Sequence, residues 1–325
     1  MDSEKPSARH SARYKCVTLT DEERQGFSAS LLDSSNIDGG NFVDSVINGD
    51  NTEILTLLPD EFADLIVVDP PYNISKRFGS VSFTACTSEA YRRYVDSWLP
   101  QVCRKLKPGG SLYLCGDWKC TAALQQSLES CLTVINRITW QREKGRATAH
   151  NWKNVMEDIW FAVKEPQNYT FNAGKVMMKR RVKAPYRQDG KPKDWQQTQE
   201  GNFRLTGASN FWDDITVPFW SMSENTSHPT QKPEKLLAKL ILASSNEGDM
   251  VFDPFLGSGT TCVVAKKLGR RFCGIEIDRE YCLVALKRLG IADTDKSIQG
   301  YSDGVFWERN SYNETKCLAR SRNTM

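Results

Sequence analysis

Histidine and paired cysteines are scarce in this 325-residue chain, and their scarcity argues against one common kind of site. Only three histidines occur (His10, His150 and His228), and none of the ten cysteines forms a Cys-x-x-Cys pair. Structural zinc sites are typically built from such pairs together with histidines. We therefore expect no structural zinc site, and we interpret the cysteines as scattered, reduced thiols.

Long apolar runs are also absent. No stretch reaches the roughly 18 apolar residues that a membrane span needs, and the N-terminal segment MDSEKPSARHSARYK lacks the apolar region of a secretory signal. The net charge is only +3, so its distribution is more informative than its total. These features predict a cytoplasmic protein without a membrane partner.

From residue 43, segments typical of strands alternate with segments typical of helices. FVDSVINGD predicts a strand that reaches Asp50, and DLIVVD is a continuous apolar run like those of buried parallel strands. Residues 89–107 carry apolar side chains at helical spacing, which KPGG would end. TVINRITWQ and MEDIWFAVK predict an antiparallel pair at one edge. The pattern predicts an α/β fold with a doubly wound, mostly parallel sheet.

This alternation breaks once and then resumes. We divide the chain into a polar, mobile or loosely docked arm (1–41), two halves of one α/β domain (42–164 and 228–290), an insert between them (165–227) and a tail (291–325). Within the insert, residues 175–204 contain nine basic and three acidic residues with aromatic side chains interleaved. Such a segment favours contact with phosphates, although a solvated surface excursion is the simpler alternative.

The segment DPFLGSGTT at residues 253–261 combines a predicted strand end, a glycine turn and a helix start. Glycine in the turn lets the backbone approach a ligand closely. Asp253 ends one predicted strand and Glu276 ends the next, where a carboxylate can accept hydrogen bonds from ribose hydroxyls. The loop is neither GxxxxGK[ST] nor GxGxxG. Because a carboxylate beside the loop disfavours pyrophosphate, a cationic nucleoside such as S-adenosylmethionine fits best.

DPPY (69–72), HPTQKP (228–233) and DPFLGSGTT together resemble the amino-methylating DNA methyltransferases. Their order resembles the β class, in which the catalytic motif precedes a target-recognition insert and the cofactor motif comes last. The resemblance covers roughly residues 43–290 and implies a Rossmann-like, S-adenosylmethionine-dependent fold. It makes 42–164 the catalytic half, 165–227 the target-recognition insert and 228–290 the cofactor-binding half.

The same resemblance implies the site residues. The cofactor pocket would be lined by Asp253, Phe255, Gly257, Ser258, Gly259, Thr260 and Glu276, with Asp50 at the cofactor's adenine and Lys232 at its methionine end.

The chemistry of DPPY explains why a buried strand would end on a carboxylate and two prolines. An exocyclic amino group of a base is a poor nucleophile, so acceptors for its hydrogens are needed. Asp69 offers one, and the Pro70 carbonyl offers another because Pro70 and Pro71 fix the backbone φ angle. Tyr72 offers an aromatic face on which a flipped base can stack.

Positive charge suggests where DNA would be held. Lys76 and Arg77 follow the catalytic motif within residues 75–88, a polar segment without strand or helix period. That segment is either a lid over the flipped base or an ordinary connection. In the insert, DNA phosphates would be met by Lys179, Arg180, Arg181 and Lys183.

Several functions remain open at this point. In similar enzymes an aspartate in the first motif position goes mostly with adenine, which favours N6-methyladenine over N4-methylcytosine. RNA and protein enzymes tend toward NPPY, and a cytosine-C5 enzyme would need a Pro-Cys pair, which this chain lacks. A catalytically inactive DNA-binding relict is the non-enzymatic alternative. We expect a nucleoid-associated prokaryotic or phage protein acting on double-stranded DNA; a homodimer and a cognate restriction endonuclease are partners that the sequence leaves open.

Overall fold

The computed structural model describes residues 16–79, 81–142, 149–182, 186–198, 201–219 and 222–308. The helices are α1 (Asp21–Ser28), α2 (Asn51–Leu57), α3 (Ser88–Arg104), α4 (Thr121–Glu129), α5 (Glu234–Ser244), α6 (Thr260–Lys267) and α7 (Arg279–Thr294), with a 3₁₀ turn at Ala173–Val176. The strands are β1 (Leu32–Asp33), β2 (Ser45–Asn48), β3 (Ala63–Val68), β4 (Lys76–Phe78), β5 (Val81–Phe83), β6 (Leu106–Gly116), β7 (Thr133–Gln141), β8 (Met156–Val163), β9 (Met178–Arg181), β10 (Arg187–Gln188), β11 (Lys191–Pro192), β12 (Gln196–Thr198), β13 (Gly201–Thr206), β14 (Phe211–Trp212), β15 (Met250–Asp253), β16 (Arg271–Glu276), β17 (Tyr301–Ser302) and β18 (Val305–Trp307).

The main sheet has the order β1-β2-β16-β15-β3-β6-β8-β7-β14. The first six strands in this order, β1, β2, β16, β15, β3 and β6, are parallel to one another. Strand β8 pairs antiparallel with both β6 and β7. The predicted fold class is therefore confirmed, and so is the antiparallel pair β7–β8, although the two-residue strand β14 pairs along its outer side.

Helices cover both faces of this sheet, so the side chains of β3, which point alternately to one face and the other, are buried on both sides. Leu65 and Val67 point into the core on the α5 side, whereas Ile66 and Val68 pack on the α3 side. All four side chains are at most 3% exposed. Burial on both faces explains why β3 reads as one continuous apolar run rather than as an alternating one.

Three local predictions were wrong. KPGG lies inside β6, because α3 already ends at Arg104. The strand predicted to reach Asp50 ends at Asn48, and Asp50 instead caps α2 by accepting a hydrogen bond from the Thr52 amide at 2.8 Å. Within residues 75–88, predicted to lack a strand period, residues 76–78 and 81–83 pair as the antiparallel hairpin β4–β5.

A second sheet, with the order β12-β13-β9-β18-β17, joins the insert to the C-terminal segment. Strand β18 pairs parallel with β9, although the two are far apart in sequence. The segment assigned to the tail therefore supplies two strands, and α7 runs on to Thr294. Two buried lysines of α5, Lys235 and Lys239, bind Asp214 of the insert at 2.6 and 2.8 Å. The Lys239 ammonium also lies 5.6 Å from the ring centroid of Phe306 in β18, so α5 lies against the second sheet.

The described part of the predicted arm is docked on α7. Thr20 and Glu23 form a capping box that starts α1. Arg24 then pairs with Glu280 at 2.8 Å, and Lys287 pairs with Glu23 at 2.7 Å. In the part of the chain that the structure describes, no helix is long and apolar enough to cross a membrane.

Candidate active site

A cavity of about 340 Å³ opens where the carboxyl ends of β2, β3, β15 and β16 meet. Parallel strands bring their ends to one edge of a sheet, which is where ligands bind in open α/β folds. An acidic residue at the end of each of these four strands lines the cavity: Asp50 and Asp69 come just after β2 and β3, and Asp253 and Glu276 are the last residues of β15 and β16. The catalytic motif and the glycine-loop motif, almost two hundred residues apart in sequence, thus share one cavity.

Asp253 anchors the glycine loop. Its carboxylate accepts hydrogen bonds from the Phe255 amide at 2.9 Å and the Thr261 hydroxyl at 2.6 Å. The side chain is 3% exposed, and burial raises the pKa of its carboxyl to about 7 in spite of the two hydrogen bonds. A cationic ligand in the cavity would favour the ionised form.

Glu276 holds the other side of the loop. Its two oxygens accept hydrogen bonds from the amides of Gly257 and Asp278, both at 2.8 Å, while burial raises the pKa of its carboxyl. Gly257 has a φ of +55°, and a β-carbon on it would come within 3.1 Å of the His228 ring. Glycine is therefore required at this position, both for the backbone conformation and for space.

The remaining loop residues divide by location. Ser258 and Thr260 line the cavity, whereas Gly259 is not among the lining residues. Gly259 begins α6 with a φ of +86°, and a β-carbon there would overlap Ala285 of α7. Behind the loop, the buried Arg288 donates hydrogen bonds to the Ser258 carbonyl at 2.8 Å and the Thr260 hydroxyl at 3.0 Å. The sequence did not single out Arg288.

One wall of the cavity is aromatic. Phe255 meets Trp98 edge to face with ring centroids 4.9 Å apart, and Tyr94 lies beside Trp98. Asp50 also lines the cavity, with its carboxylate held by the Thr52 amide and hydroxyl. An aromatic wall beside a carboxylate can accommodate a nucleoside base and hydrogen-bond to it.

Asp69 and Tyr72 of the catalytic motif are hydrogen-bonded to each other. The Tyr72 hydroxyl donates to Asp69 Oδ1 at 2.9 Å, and Lys232 Nζ donates to Asp69 Oδ2 at 2.5 Å. Burial disfavours the charge of Lys232, but Asp69 and Glu157 outweigh this effect and raise the pKa of its ammonium. The Lys232 ammonium also lies 5.3 Å from the centroid of the Tyr72 ring. Lys232 lines the cavity, and its hydrogen-bond partners Asp69 and Tyr72 belong to the catalytic motif.

Pro70 and Pro71 both line the cavity. The Pro71 carbonyl accepts a hydrogen bond from the Tyr91 hydroxyl at 2.9 Å, which fixes the motif on α3. Within the described residues, no hydrogen-bond donor is recorded for the Pro70 carbonyl, so this oxygen can accept a hydrogen from a ligand.

The structure adds two charged residues to this group that the sequence did not single out. Glu157 of β8 is 4% exposed, and its Oε2 lies 3.1 Å from the Tyr72 hydroxyl and 3.4 Å from Lys232 Nζ. Its Oε1 pairs with Arg142 at 2.7 Å. The only hint in the sequence was an acidic residue within an otherwise apolar strand. The neighbouring residues in the sequence do not indicate which group would pair with it.

The hairpin β4–β5 lies beside the cavity. Phe83, which lines it, packs on Tyr94 of α3 with ring centroids 5.4 Å apart. Lys76 Nζ donates to the Pro229 carbonyl at 3.4 Å, and Arg77 Nε donates to the Gly79 carbonyl at 2.9 Å.

The basic residues of the insert differ in whether neighbouring side chains hold them in place. The Lys179 ammonium lies over the rings of Trp307 and Phe203, 4.3 and 4.9 Å from their centroids. Arg180 pairs with Glu308 at 3.3 Å, and Arg181 is exposed. Lys183, also predicted to bind DNA, lies outside the described residues. In the described part of the chain, no group of three or more metal-ligating side chains could hold a metal ion.

Comparison with known proteins assigns the family. Residues 63–287 match the family model described as DNA methylase. The DNA adenine methyltransferase YhdJ of Escherichia coli (strain K12) is 35% identical over 259 residues, which are 78% of this chain and 85% of that protein. The type II methyltransferase M.HpaI of Haemophilus parainfluenzae is 34% identical over 234 residues, 71% of this chain and 69% of that protein.

A solved structure agrees at the level of the fold. The crystal structure of the M1.HpyAVI–SAM complex aligns with a TM-score of 0.52 and 24% identity, covering 75% of this chain and 98% of that one. Because the family model spans more than half of the sequence, the conclusion does not depend on this distant likeness: the chain belongs to the DNA methylase family.

Proposed function

We propose that this DNA methylase transfers a methyl group from S-adenosylmethionine to the N6 amino group of adenine at a specific site in double-stranded DNA. The observation that carries the proposal is the shared cavity, which is lined both by the acceptor Asp69 and by the glycine loop that Asp253 and Glu276 hold. The name of the relative YhdJ, an adenine methyltransferase, supports the choice of base.

The residues around the cavity fit S-adenosylmethionine, which supplies an activated methyl group when bound. Asp253 and Glu276 place negative charge where a ligand with a sulfonium and an ammonium needs it. Asp50 would face the adenine of the cofactor, next to Phe255. Gly257, Ser258 and Thr260 would let the backbone follow the ligand, while Gly259 would support the loop from behind.

The chain's own residues would then prepare the target amine. A base in a duplex has its amino group paired, so it must leave the helix to reach the cavity. Asp69 and the Pro70 carbonyl would accept the two hydrogens of the amine and direct the nitrogen lone pair toward the methyl group. Pro71 would keep that carbonyl in place, and Tyr72 would provide a surface for the base. Lys232 would hold the Asp69 carboxylate in place through its hydrogen bond to Oδ2.

Adenine N6 and cytosine N4 are both conjugated exocyclic amines, so the acceptors alone do not distinguish them. We favour adenine because the first motif residue is Asp69 and because YhdJ is named for adenine.

DNA phosphates would be held by Lys76 and Arg77 beside the cavity and by Arg180 and Arg181 of the insert, with Lys179 and Lys183 as further candidates. A homodimer, a cognate restriction endonuclease and association with the nucleoid belong to the same proposal. The type II methyltransferase among the relatives is consistent with the endonuclease.

Mass spectrometry tests the proposal directly. Double-stranded DNA is incubated with the protein and S-adenosylmethionine carrying a labelled methyl group, then digested to nucleosides. We expect labelled N6-methyladenine. Labelled N4-methylcytosine alone would overturn the choice of base, and unlabelled DNA throughout would overturn the activity.

A further inference from the structure

Glu157 lies behind the catalytic motif and does not line the cavity. It contacts three functional groups at once: the Tyr72 hydroxyl at 3.1 Å, the Lys232 ammonium at 3.4 Å and the Arg142 guanidinium at 2.7 Å. Two of these groups, Tyr72 and Lys232, are also the groups that hold Asp69. Glu157 is therefore one contact away from the proposed acceptor, through two separate routes.

A carboxylate at this position is costly unless something compensates its charge. Glu157 is 4% exposed, and removing an ion from water to such a place costs several kcal/mol. Its neighbours two and four positions along β8, Ile159 and Phe161, pack into the apolar core. An apolar residue at 157 would therefore suit packing alone. The polar contacts, rather than packing, account for a glutamate here.

The contacts show what the glutamate does. The Tyr72 hydroxyl has one proton and two carboxylates within reach, so Glu157 fixes where this hydroxyl sits relative to Asp69. The Lys232 ammonium lies between the same two carboxylates. Because the ammonium lies 2.5 Å from Asp69 Oδ2 and 3.4 Å from Glu157 Oε2, the charge of Glu157 restricts where Lys232 can sit beside Asp69.

We infer that Glu157 is a positioning residue for methyl transfer. It holds Tyr72 and Lys232 from behind, so that the Asp69 carboxylate stays oriented and able to accept a hydrogen from the target amine. Arg142 balances the charge of Glu157, which makes Asp69, Lys232, Glu157 and Arg142 a neutral set. The inference rests on the proposed function, since it assumes that Asp69 receives the amine.

The first test separates chemistry from binding. Glu157→Gln keeps the size of the side chain and removes its charge. We expect the single-turnover rate of methyl transfer to fall about 10- to 100-fold, whereas the affinity for S-adenosylmethionine by calorimetry and the KM for DNA change less than about threefold. Asp158→Asn is the matched control: this neighbouring acid on β8 contacts Thr139 and Arg137 instead, and the rate should stay near that of the wild type.

A double-mutant cycle tests the route. If Glu157 acts through the Tyr72 hydroxyl, then adding Glu157→Gln to Tyr72→Phe lowers the rate by much less than it does in the wild type. If the two losses simply multiply, the two residues act independently, and the inference is overturned for that route. The same cycle with Lys232→Met tests the second route, and multiplying losses in both cycles overturn the inference altogether.

A double variant serves as the control for effects on folding. Glu157→Gln leaves the partly buried Arg142 without its partner at 2.7 Å, which can destabilise the chain by itself. In Glu157→Gln with Arg142→Gln both charges are gone. We expect this variant to remain slow; a return to the wild-type rate would mean that Glu157 serves only to neutralise Arg142. Absence of labelled N6-methyladenine with the wild-type protein would instead refute the proposed function.

Discussion

Asp253 is the residue whose protonation should control cofactor binding. Burial raises the pKa of its carboxyl to about 7, so this group changes charge within the ordinary assay range. A bound cation favours the ionised form and lowers this pKa, so binding releases a proton below neutral pH. Affinity for S-adenosylmethionine should therefore strengthen as the pH rises from about 6 to about 8, which calorimetry across that range would measure.

The control is Asp253→Asn, which removes the titrating group. Its one oxygen can accept from the Phe255 amide, and its NH2 group can donate to the Thr261 hydroxyl, which now donates to the other carboxylate oxygen. Its affinity should be weaker and nearly independent of pH. Glu224 also has a pKa raised to about 7 by burial, but it is not among the residues that line the cavity. An unchanged pH dependence in Asp253→Asn would assign the effect to another group such as Glu224.

Asp69 should separate catalysis from cofactor binding. Asp69→Ala removes an acceptor that matters most when the amine reacts, so methyl transfer should fall at least about 100-fold. Cofactor affinity should persist, because Asp253 and Glu276, rather than Asp69, hold the glycine loop that lines the cavity. Nucleoside mass spectrometry and calorimetry on the same preparation would show both. Turnover within about tenfold of the wild type, a difference of roughly 1.4 kcal/mol, would exclude Asp69 from the mechanism.

Residues that lie at strand ends within recognisable motifs could be predicted from the sequence; their supporting partners could not. Asp69, Asp253 and Glu276 each end an apolar run, and the topology brings these ends together. Glu157 meets Tyr72 across 85 residues, and Arg288 meets Ser258 across 30. Such pairs form only when two distant elements pack at a particular angle. The hydrophobic periodicity of one segment does not predict that angle.

Among the elements, the hairpin β4–β5 has the most direct relation to ligand access. On one side Phe83 packs on α3, and on the other Gly79, with a φ of +53°, lies against the Asp278 carboxylate. Ser82 and Phe83 line the cavity. The hairpin therefore spans from α3 to the start of α7 beside the cavity, and we predict that it closes over a bound ligand as a lid.

Hydrogen exchange tests this element. Amides of residues 75–88 should gain protection when S-adenosylmethionine and specific DNA are both present, because closure limits local opening. The hairpin β10–β11, which has no residue in the cavity lining, provides a comparison for effects of DNA alone. No gain in protection over 75–88 would make the hairpin an ordinary connection.

The basic residues in and after strand β9 were predicted to bind DNA phosphates. In the structure, those that are described differ in how exposed they are. Lys179 lies against Trp307 and Phe203, so its replacement should mainly destabilise the second sheet. Arg181 and Arg187 are exposed. Arg181→Gln with Arg187→Gln should flatten the dependence of log binding constant on log salt by about 0.9 for each lost phosphate contact.

The matched control for this measurement is Arg92→Gln with Arg93→Gln. It removes the same charge from α3, where both arginines pair with acids of their own helix. Fluorescence anisotropy over a salt series would give both slopes. Equal slopes for the two double variants would mean that Arg181 and Arg187 form only a solvated face.

On the scale of the whole molecule, the main sheet was predictable and the second sheet was not. The main sheet is built from strands and helices whose own sequences specify them, and crossover connections with one handedness restrict how these can be arranged. The second sheet depends on pairing Phe306 with Met178 and Trp307 with Lys179. Nothing in a three-residue strand near the C-terminus specifies that partner, so the segment was interpreted as a tail.

This pairing gives the C-terminal segment a structural role that can be measured. Phe306 is 0% exposed, and the Lys239 ammonium of α5 lies 5.6 Å from the centroid of its ring. Phe306→Ala should lower the free energy of unfolding by about 3–5 kcal/mol, because it leaves a cavity where β9, β18 and α5 meet. Urea denaturation would show this as a lower midpoint. Leu205→Ala on β13 is the control: that side chain is 55% exposed, and its removal should change the free energy by no more than about 0.5 kcal/mol. If both variants unfold at the same urea concentration, strand β18 does not contribute to the stability of the domain.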